Sequence, residues 1–234
     1  MKVTFPHMGT MSIPVKTLLE ELGLKVIIPP PITSRTLELG VKHSPEFACL
    51  PLKMNIGNYI EALEEGADTI IMGGGVGPCR FGYYGEVEKK ILEDLGYDFE
   101  MIIFEPLQGN WKQFYKSLKL LLGNISWKNI KKAWDRAWAK AKAVDYINQL
   151  ANKTRPYLID RSKATEIFKQ GLTLIDKSES ILNTKKSVTQ IENQFKLLPR
   201  DENFTPLKVG IVGEIYVVLE PFTNLHLEQK LGEL

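Results

Sequence analysis

Apolar residues along this chain change their period several times, and the changes come in a regular order. Val3 and Phe5 open a short strand over residues 2–5 that ends at the turn Pro6-His7-Met8-Gly9-Thr10. Ile13, Val15, Leu18, Leu19 and Leu22 then recur at helical spacing until Gly23 stops them. A second strand over 24–28 closes at Pro29-Pro30-Pro31, whose missing N–H groups cannot continue a ladder. Ser34 is placed to cap a short helix to Leu39, and a longer amphipathic helix carries Ile56, Tyr59, Ile60 and Leu63 on one face before Gly66. Residues 67–72 follow as a buried strand, then a glycine loop, a helix bearing Val87, Ile91, Leu92 and Leu95, and a strand over 99–104. Strands alternating with helices predict an α/β domain, a parallel sheet with helices on both faces.

From Trp111 the strand pattern stops and helical spacing takes over. Ile130, Trp134, Ala137, Trp138, Ala141, Val144 and Ile147 form the apolar seam of one long helix, with Ser126 as its cap. Lys128, Lys131, Lys132, Arg136, Lys140 and Lys142 fall on its other faces. A solvated helix face accounts for such a basic run; an anionic cofactor or acidic partner is the alternative. Further helices are predicted over about 161–182 and 186–197. Residues 207–218 read as one strand or a strand followed by a turn, with Gly210 and Gly213 allowing close backbone approach, and a helix follows from 223. The divisions expected are a domain over 1–110, a helical segment over 111–200, and the start of a second α/β domain over 201–234. A unit that opens so late implies that the chain is part of a longer protein.

Composition narrows the function classes. The 234 residues are 44% hydrophobic and 25% charged, as in ordinary globular chains. Thirty Lys and Arg against 28 Asp and Glu leave a formal net charge of +2, too balanced for a partner bound through its phosphate backbone, so nucleic acid is not expected. Neither a signal-peptide pattern nor a run of membrane-helix length is present, which predicts a cytoplasmic protein with reduced thiols.

The chemistry gathers at the loops that follow the predicted strands. Gly73, Gly74, Gly75 and Gly77 form a loop between a strand and a helix, where open α/β sheets bind ligands and helix N-termini attract anions. The loop matches neither G-x-G-x-x-G nor the P-loop pattern, since Pro78 and Arg80 stand where a third glycine would fall and no Gly-Lys-Ser/Thr follows. It does place Cys79 at a helix start, and Cys49, with Pro51 behind it, begins a helix of its own; helix N-termini favour a thiolate. These are the chain's two cysteines, and their spacing is far from any C-x-x-C zinc pattern. Buried structural thiols and a pair of metal ligands both remain open on this evidence. His7, in the first strand-to-helix turn, is either a locally satisfied turn residue or a base or ligand. Thr10, Ser12, Lys53, Asn55, Arg80 and Tyr83 are further polar candidates for the same rim, whereas His43 and His226 belong to no motif.

Four segments, Pro6-His7-Met8-Gly9, Cys49-Leu50-Pro51-Leu52-Lys53, Gly77-Pro78-Cys79-Arg80-Phe81-Gly82-Tyr83 and Val209-Gly210-Ile211-Val212-Gly213-Glu214-Ile215-Tyr216, carry a resemblance. The chain resembles the activase-related proteins of the 2-hydroxyacyl-CoA dehydratase and benzoyl-CoA reductase superfamily, most strongly over residues 1–106 and 207–234. The resemblance implies a Rossmann-like parallel sheet with a large helical insertion and the start of a second α/β domain. It implies an iron-sulfur cluster, of the 4Fe-4S kind, with Cys49 and Cys79 as metal ligands and the glycine loop as the pocket wall. The function it implies is low-potential electron transfer or radical dehydration in anaerobic metabolism. The partners would be an acyl-CoA substrate and an ATP-dependent activator protein or second subunit, with the remaining ligands outside this chain. The alternatives are a non-catalytic protein holding a CoA- or nucleotide-like ligand at His7, Gly75, Gly77 and Arg80, and a redox sensor in which the two thiols form a disulfide. No residue is identified as catalytic.

Overall fold

The computed structural model describes residues 1–75, 79–104, 119, 121–123, 125–201 and 203–234. The chain divides into two compact units, one of Met1–Met8 with Leu19–Lys131 and one of Gly9–Leu18 with Lys132–Leu234.

In the first unit the predicted alternation holds. Strands β1 (Lys2–Thr4), β2 (Lys25–Val26), β3 (Thr69–Gly73) and β4 (Glu100–Phe104) form a parallel sheet in the order β2-β1-β3-β4. Three helices follow in chain order: α1 (Ser12–Glu21, of which 19–21 belong here), which leads into β2, then α2 (Ser34–His43) and α3 (Leu50–Glu64). Helix α4 (Tyr84–Asp94) connects β3 to β4. The strands are shorter than the apolar runs that encode them, because a strand ends where its neighbour no longer offers a ladder partner. β2 keeps two paired residues, and Ile27 adds one bond, donating to the Val3 carbonyl at 2.8 Å.

Helix α3 is the centre of this unit. It is buried on nearly every side, from Pro51 to Leu63, which its apolar composition favours. Ile56, Tyr59, Ile60 and Leu63 join Ile70, Met72 and Leu92 in one core. Against α2 the backbones touch: a methyl group on Gly57 would stand 1.9 Å from the Thr36 carbonyl oxygen, and one on Gly40 would stand 1.8 Å from that of Lys53. The start of α2 differs from expectation by one position. Thr33 is its cap, exchanging bonds with Thr36 in a reciprocal box, and Ser34 is the first helical residue.

The second unit is helical among its described residues. Its main elements are α5 (Trp127–Thr154, of which 132–154 belong here), α6 (Ser162–Asp176), α7 (Ile181–Lys196), α8 (Ile215–Leu219) and α9 (Leu227–Glu233). Ser126 caps α5 as expected, accepting from the Asn129 N–H at 3.4 Å. The core joins Val144, Ile147 and Ala151 of α5 to Ile167 and Ile175 of α6 and Ile191 and Phe195 of α7. Two expectations fail on α5. Trp134 and Trp138 are exposed, at 57% and 54%, because the inward stripe runs through Ala133, Ala137, Lys140, Ala143, Val144 and Ile147. Lys140, placed with the solvated cations, is buried and donates to the Asp176 carbonyl at 2.7 Å.

Residues 207–218 form no strand. Residues 207–213 run without regular structure, and Glu214 then caps α8 by accepting from the Val217 N–H at 3.0 Å. The β-branched run has no neighbouring ladder among the described residues, so a local side-chain cap decides the outcome.

Candidate functional site

The strand order reverses direction at β1. The chain steps from β1 out to β2, then returns to the other side of β1 for β3, so the loops leaving β1 and β3 diverge above their carboxyl ends. Open α/β sheets leave a crevice at such a switch point. His7 follows β1 there and Gly74 and Gly75 follow β3. The His7 N–H donates to Asn58 Oδ1 at 3.1 Å, and Asn58 Nδ2 donates to the Pro30 carbonyl at 2.8 Å. Fully buried Asn58 therefore ties the segments leaving β1 and β2 to helix α3. Sequence reasoning missed it, since a polar residue inside an apolar helical face carries no sign of its partners.

Cys49 is the N-cap residue of α3, with Pro51 in the first turn as expected. Cys79 is the N-cap residue of a 3-10 turn, Arg80–Tyr83, which runs on into α4. The two segments are bridged: Arg80 Nη1 donates to the Phe47 carbonyl at 3.1 Å, one residue from one cysteine to two residues from the other. Cys49 is half-buried and its sulfur lies 2.6 Å from the Tyr84 hydroxyl oxygen; Cys79 is exposed. Both thiols are free.

The glycine loop is pressed against the Cys79 segment. The Phe81 ring lies over Gly73, and a methyl on Gly82 would meet the Gly75 carbonyl oxygen at 2.0 Å, an approach that only glycine permits. The Phe81 and Tyr84 rings pack at 5.6 Å between centroids, tilted by 59°. Gly77 lies outside the described residues.

Tyr84 is the residue that sequence reasoning placed one position too early. Tyr83 is 72% exposed, whereas Tyr84 is 6% exposed and meets the Cys49 sulfur. Burial raises the Tyr84 phenol above its ordinary range, and the Cys49 bond and the nearby charges of Cys49, Cys79 and Glu88 add to this. Tyr84 thus stays protonated and shares a hydrogen bond with the Cys49 sulfur, in which either group can donate. One turn along α4, Glu88 is completely buried and accepts from Asn55 Nδ2 at 3.0 Å. Burial pushes its carboxyl up to about 8, opposed by the Asn55 bond. Asn55 is therefore a core residue and not a rim residue. The i, i+4, i+8 series Tyr84, Glu88, Leu92 was the available signal for this inward face, obscured by the acidic letter at its centre.

The other candidates separate. Lys53 donates to the Glu46 carbonyl at 3.0 Å on the surface. Thr10 and Ser12 belong to the second unit, as does His226, the N-cap of α9 at φ 57°. His43 ends α2. Among the described residues no group of three or more His, Cys, Asp or Glu is arranged to hold a metal ion. A cubane cluster takes about four ligands, so the described residues do not by themselves make up such a site. Among the same residues no helix is long and apolar enough to cross a membrane.

Residues 7–73 match the family model described as CoA enzyme activase uncharacterised domain. The match supports an activase-related family of the CoA-enzyme superfamily; it includes His7, Cys49 and Gly73 and stops before Cys79. No curated protein and no solved structure matches the chain.

Proposed function

We propose that this chain is a component of a CoA-enzyme activase-related system in which Cys49 and Cys79 supply two thiolates to an iron-sulfur cluster, the remaining ligands coming from outside the described residues. The observation that carries the reading is the bridge between the two cysteine segments, the Arg80 bond to the Phe47 carbonyl, at the carboxyl edge of the sheet. The family match over residues 7–73 supports the activase-related part of the reading. Such a cluster supplies single electrons at low potential.

The chain's own residues prepare the thiols for that role. Tyr84, held protonated and hydrogen-bonded to Cys49, would donate to a Cys49 thiolate and stabilise negative charge on it. The Cys49 segment is fixed by the start of α3, the Cys79 segment by Arg80 and by the contact of Gly82 with Gly75. Acyl-CoA as substrate and an ATP-dependent activator as electron donor belong to the proposal as partners.

Anaerobic reconstitution with iron and sulfide tests it. The expected result is a broad visible absorption in the wild-type chain that Cys49→Ser and Cys79→Ser each remove. Equal absorption in all three proteins would overturn the reading. The switch-point crevice beside His7 favours a second reading, a CoA- or nucleotide-like ligand held there with incidental thiols. Saturable binding of ADP, unchanged in both serine variants and without any visible chromophore, would favour it. A thiol redox sensor is distinguished by a Cys49–Cys79 disulfide formed under mild oxidant.

A further inference from the structure

The second unit holds a cavity of about 290 Å³, lined by the last turns of α5, by α6 and by the stretch from α8 into α9. Ligand pockets start near 300 Å³, so this one suits a compact molecule. Phe168 and Leu172 of α6, with Val218, Leu219 and Pro221, supply its apolar lining. Its charged lining is Arg155, Lys169 and Glu228.

Arg155 is the unusual member. It is 3% exposed, yet it makes no ion pair among the described residues. Its Nη1 donates to Asn152 Oδ1 at 2.8 Å, while Nε is buried without a hydrogen-bond partner. Thr165 Oγ1, from the same lining, is buried without a partner as well. Burial disfavours the charge on Arg155, and the charges of Glu233 and Glu228 offset that only in part. A buried charge is ordinarily paired, and a guanidinium edge with a free N–H takes a carboxylate through two parallel bonds.

Glu228 supplies the opposite charge. Its Oε2 accepts from Asn148 Nδ2 at 3.3 Å and from Asn152 Nδ2 at 2.9 Å. Both donors are neutral amides, so the carboxylate keeps its charge. One side chain, Asn152, thus holds Arg155 on its oxygen and Glu228 on its nitrogen, which keeps cation and anion from closing on each other while both line the cavity. A simple anion there would answer Arg155 but face Glu228, and a simple amine would leave Arg155 unpaired. A ligand carrying both charges answers both. We propose that this cavity binds a free α-amino acid with an apolar side chain, its carboxylate toward Arg155 and Thr165, its ammonium toward Glu228 and its side chain against Phe168 and Leu172. Burial of the side chain supplies affinity, and the two separated charges supply selectivity.

The test is isothermal titration calorimetry of the full chain with L-leucine and L-phenylalanine, each beside its decarboxylated amine and its deaminated acid. These are 3-methylbutylamine and 4-methylpentanoate for leucine, and 2-phenylethylamine and 3-phenylpropanoate for phenylalanine. At least one of the two amino acids should bind saturably, and its amine and its acid should each bind at least tenfold more weakly. Glu228→Gln, a change at an exposed position, should weaken the amino acid at least tenfold yet bind the deaminated acid no more weakly than the wild type does. Arg155→Lys keeps the charge and loses the fork, and should weaken the amino acid by a similar factor with the helical circular dichroism unchanged. If that variant unfolds, Glu228→Gln alone decides. Binding of neither amino acid overturns the proposal. So does an amine or an acid that binds as tightly as its parent, or an amino-acid affinity that Glu228→Gln leaves unchanged.

Discussion

The Tyr84 hydroxyl and the Cys49 sulfur share a hydrogen bond across 2.6 Å, joining the first residue of α4 to the N-cap of α3. The bond and the ring have separable roles. Tyr84→Phe keeps the packing on Phe81 and should cost only about 1 kcal/mol in urea unfolding, as for one hydrogen bond. Tyr84→Ala removes a buried ring and should cost about 3–5 kcal/mol. In the reconstituted chain Tyr84→Phe should also move the midpoint potential to more negative values, since a donor to sulfur stabilises the reduced state. An unchanged potential would show that the hydroxyl serves packing alone.

Glu88 gives the first unit a pH dependence of known sign. Its carboxyl ionises near 8 when folded, against 4.5 for the ordinary group, because burial penalises the charge. Between these values the folded state holds the extra proton, so stability is full below about 4.5, falls as pH rises, and is lost through about 8. The total is on the order of 5 kcal/mol. The Glu88 Oε2 and Asn55 Oδ1 atoms are both buried without a hydrogen-bond partner among the described residues, which disfavours a charge on the carboxyl further. Glu88→Gln places an N–H there permanently. It should raise the urea midpoint at pH 8.5 and leave it nearly unchanged at pH 5; equal effects at both would contradict the assignment.

The contact of α2 with α3 has no room for a methyl group. Gly57→Ala and Gly40→Ala each direct a carbon at a backbone carbonyl oxygen under 2 Å away, so the helices must separate. Each change should cost about 1–3 kcal/mol or more. Because α3 carries Cys49, the same variants should retain less iron after reconstitution at a temperature where they are still folded.

The two thiols should also act together without any cluster. A trivalent arsenical such as phenylarsine oxide bonds two nearby thiols at once, and one equivalent should be retained per chain and released by a small dithiol. Retention should vanish in Cys49→Ser and in Cys79→Ser. Two thiols that react fully with a monothiol reagent but hold no arsenical would show that they do not converge.

What the sequence revealed and what it hid divide along physical lines. The alternation of β1 to β4 with helices, the Cys49 position ahead of Pro51 and the Ser126 cap are local signals, readable from period and cap chemistry. Tyr84 against Tyr83 was not, because two adjacent tyrosines at a helix start differ only in which one the core claims. Asn58 and Glu88 were hidden for a related reason: a buried polar residue is recognised by its partner, and the partners lie on other elements. The indoles of Trp134 and Trp138 turned outward because alanines formed the inward stripe. Val209, Ile211 and Val212 look like a strand by composition, yet a strand requires a neighbour.

The most direct measurement of the central claim is iron bound per chain after anaerobic reconstitution, compared across the wild type, Cys49→Ser, Cys79→Ser and the double variant. If both thiols ligate one cluster, each single substitution loses as much iron as the double. If iron content is the same in all four proteins, or falls in additive halves, the two cysteines do not share a cluster.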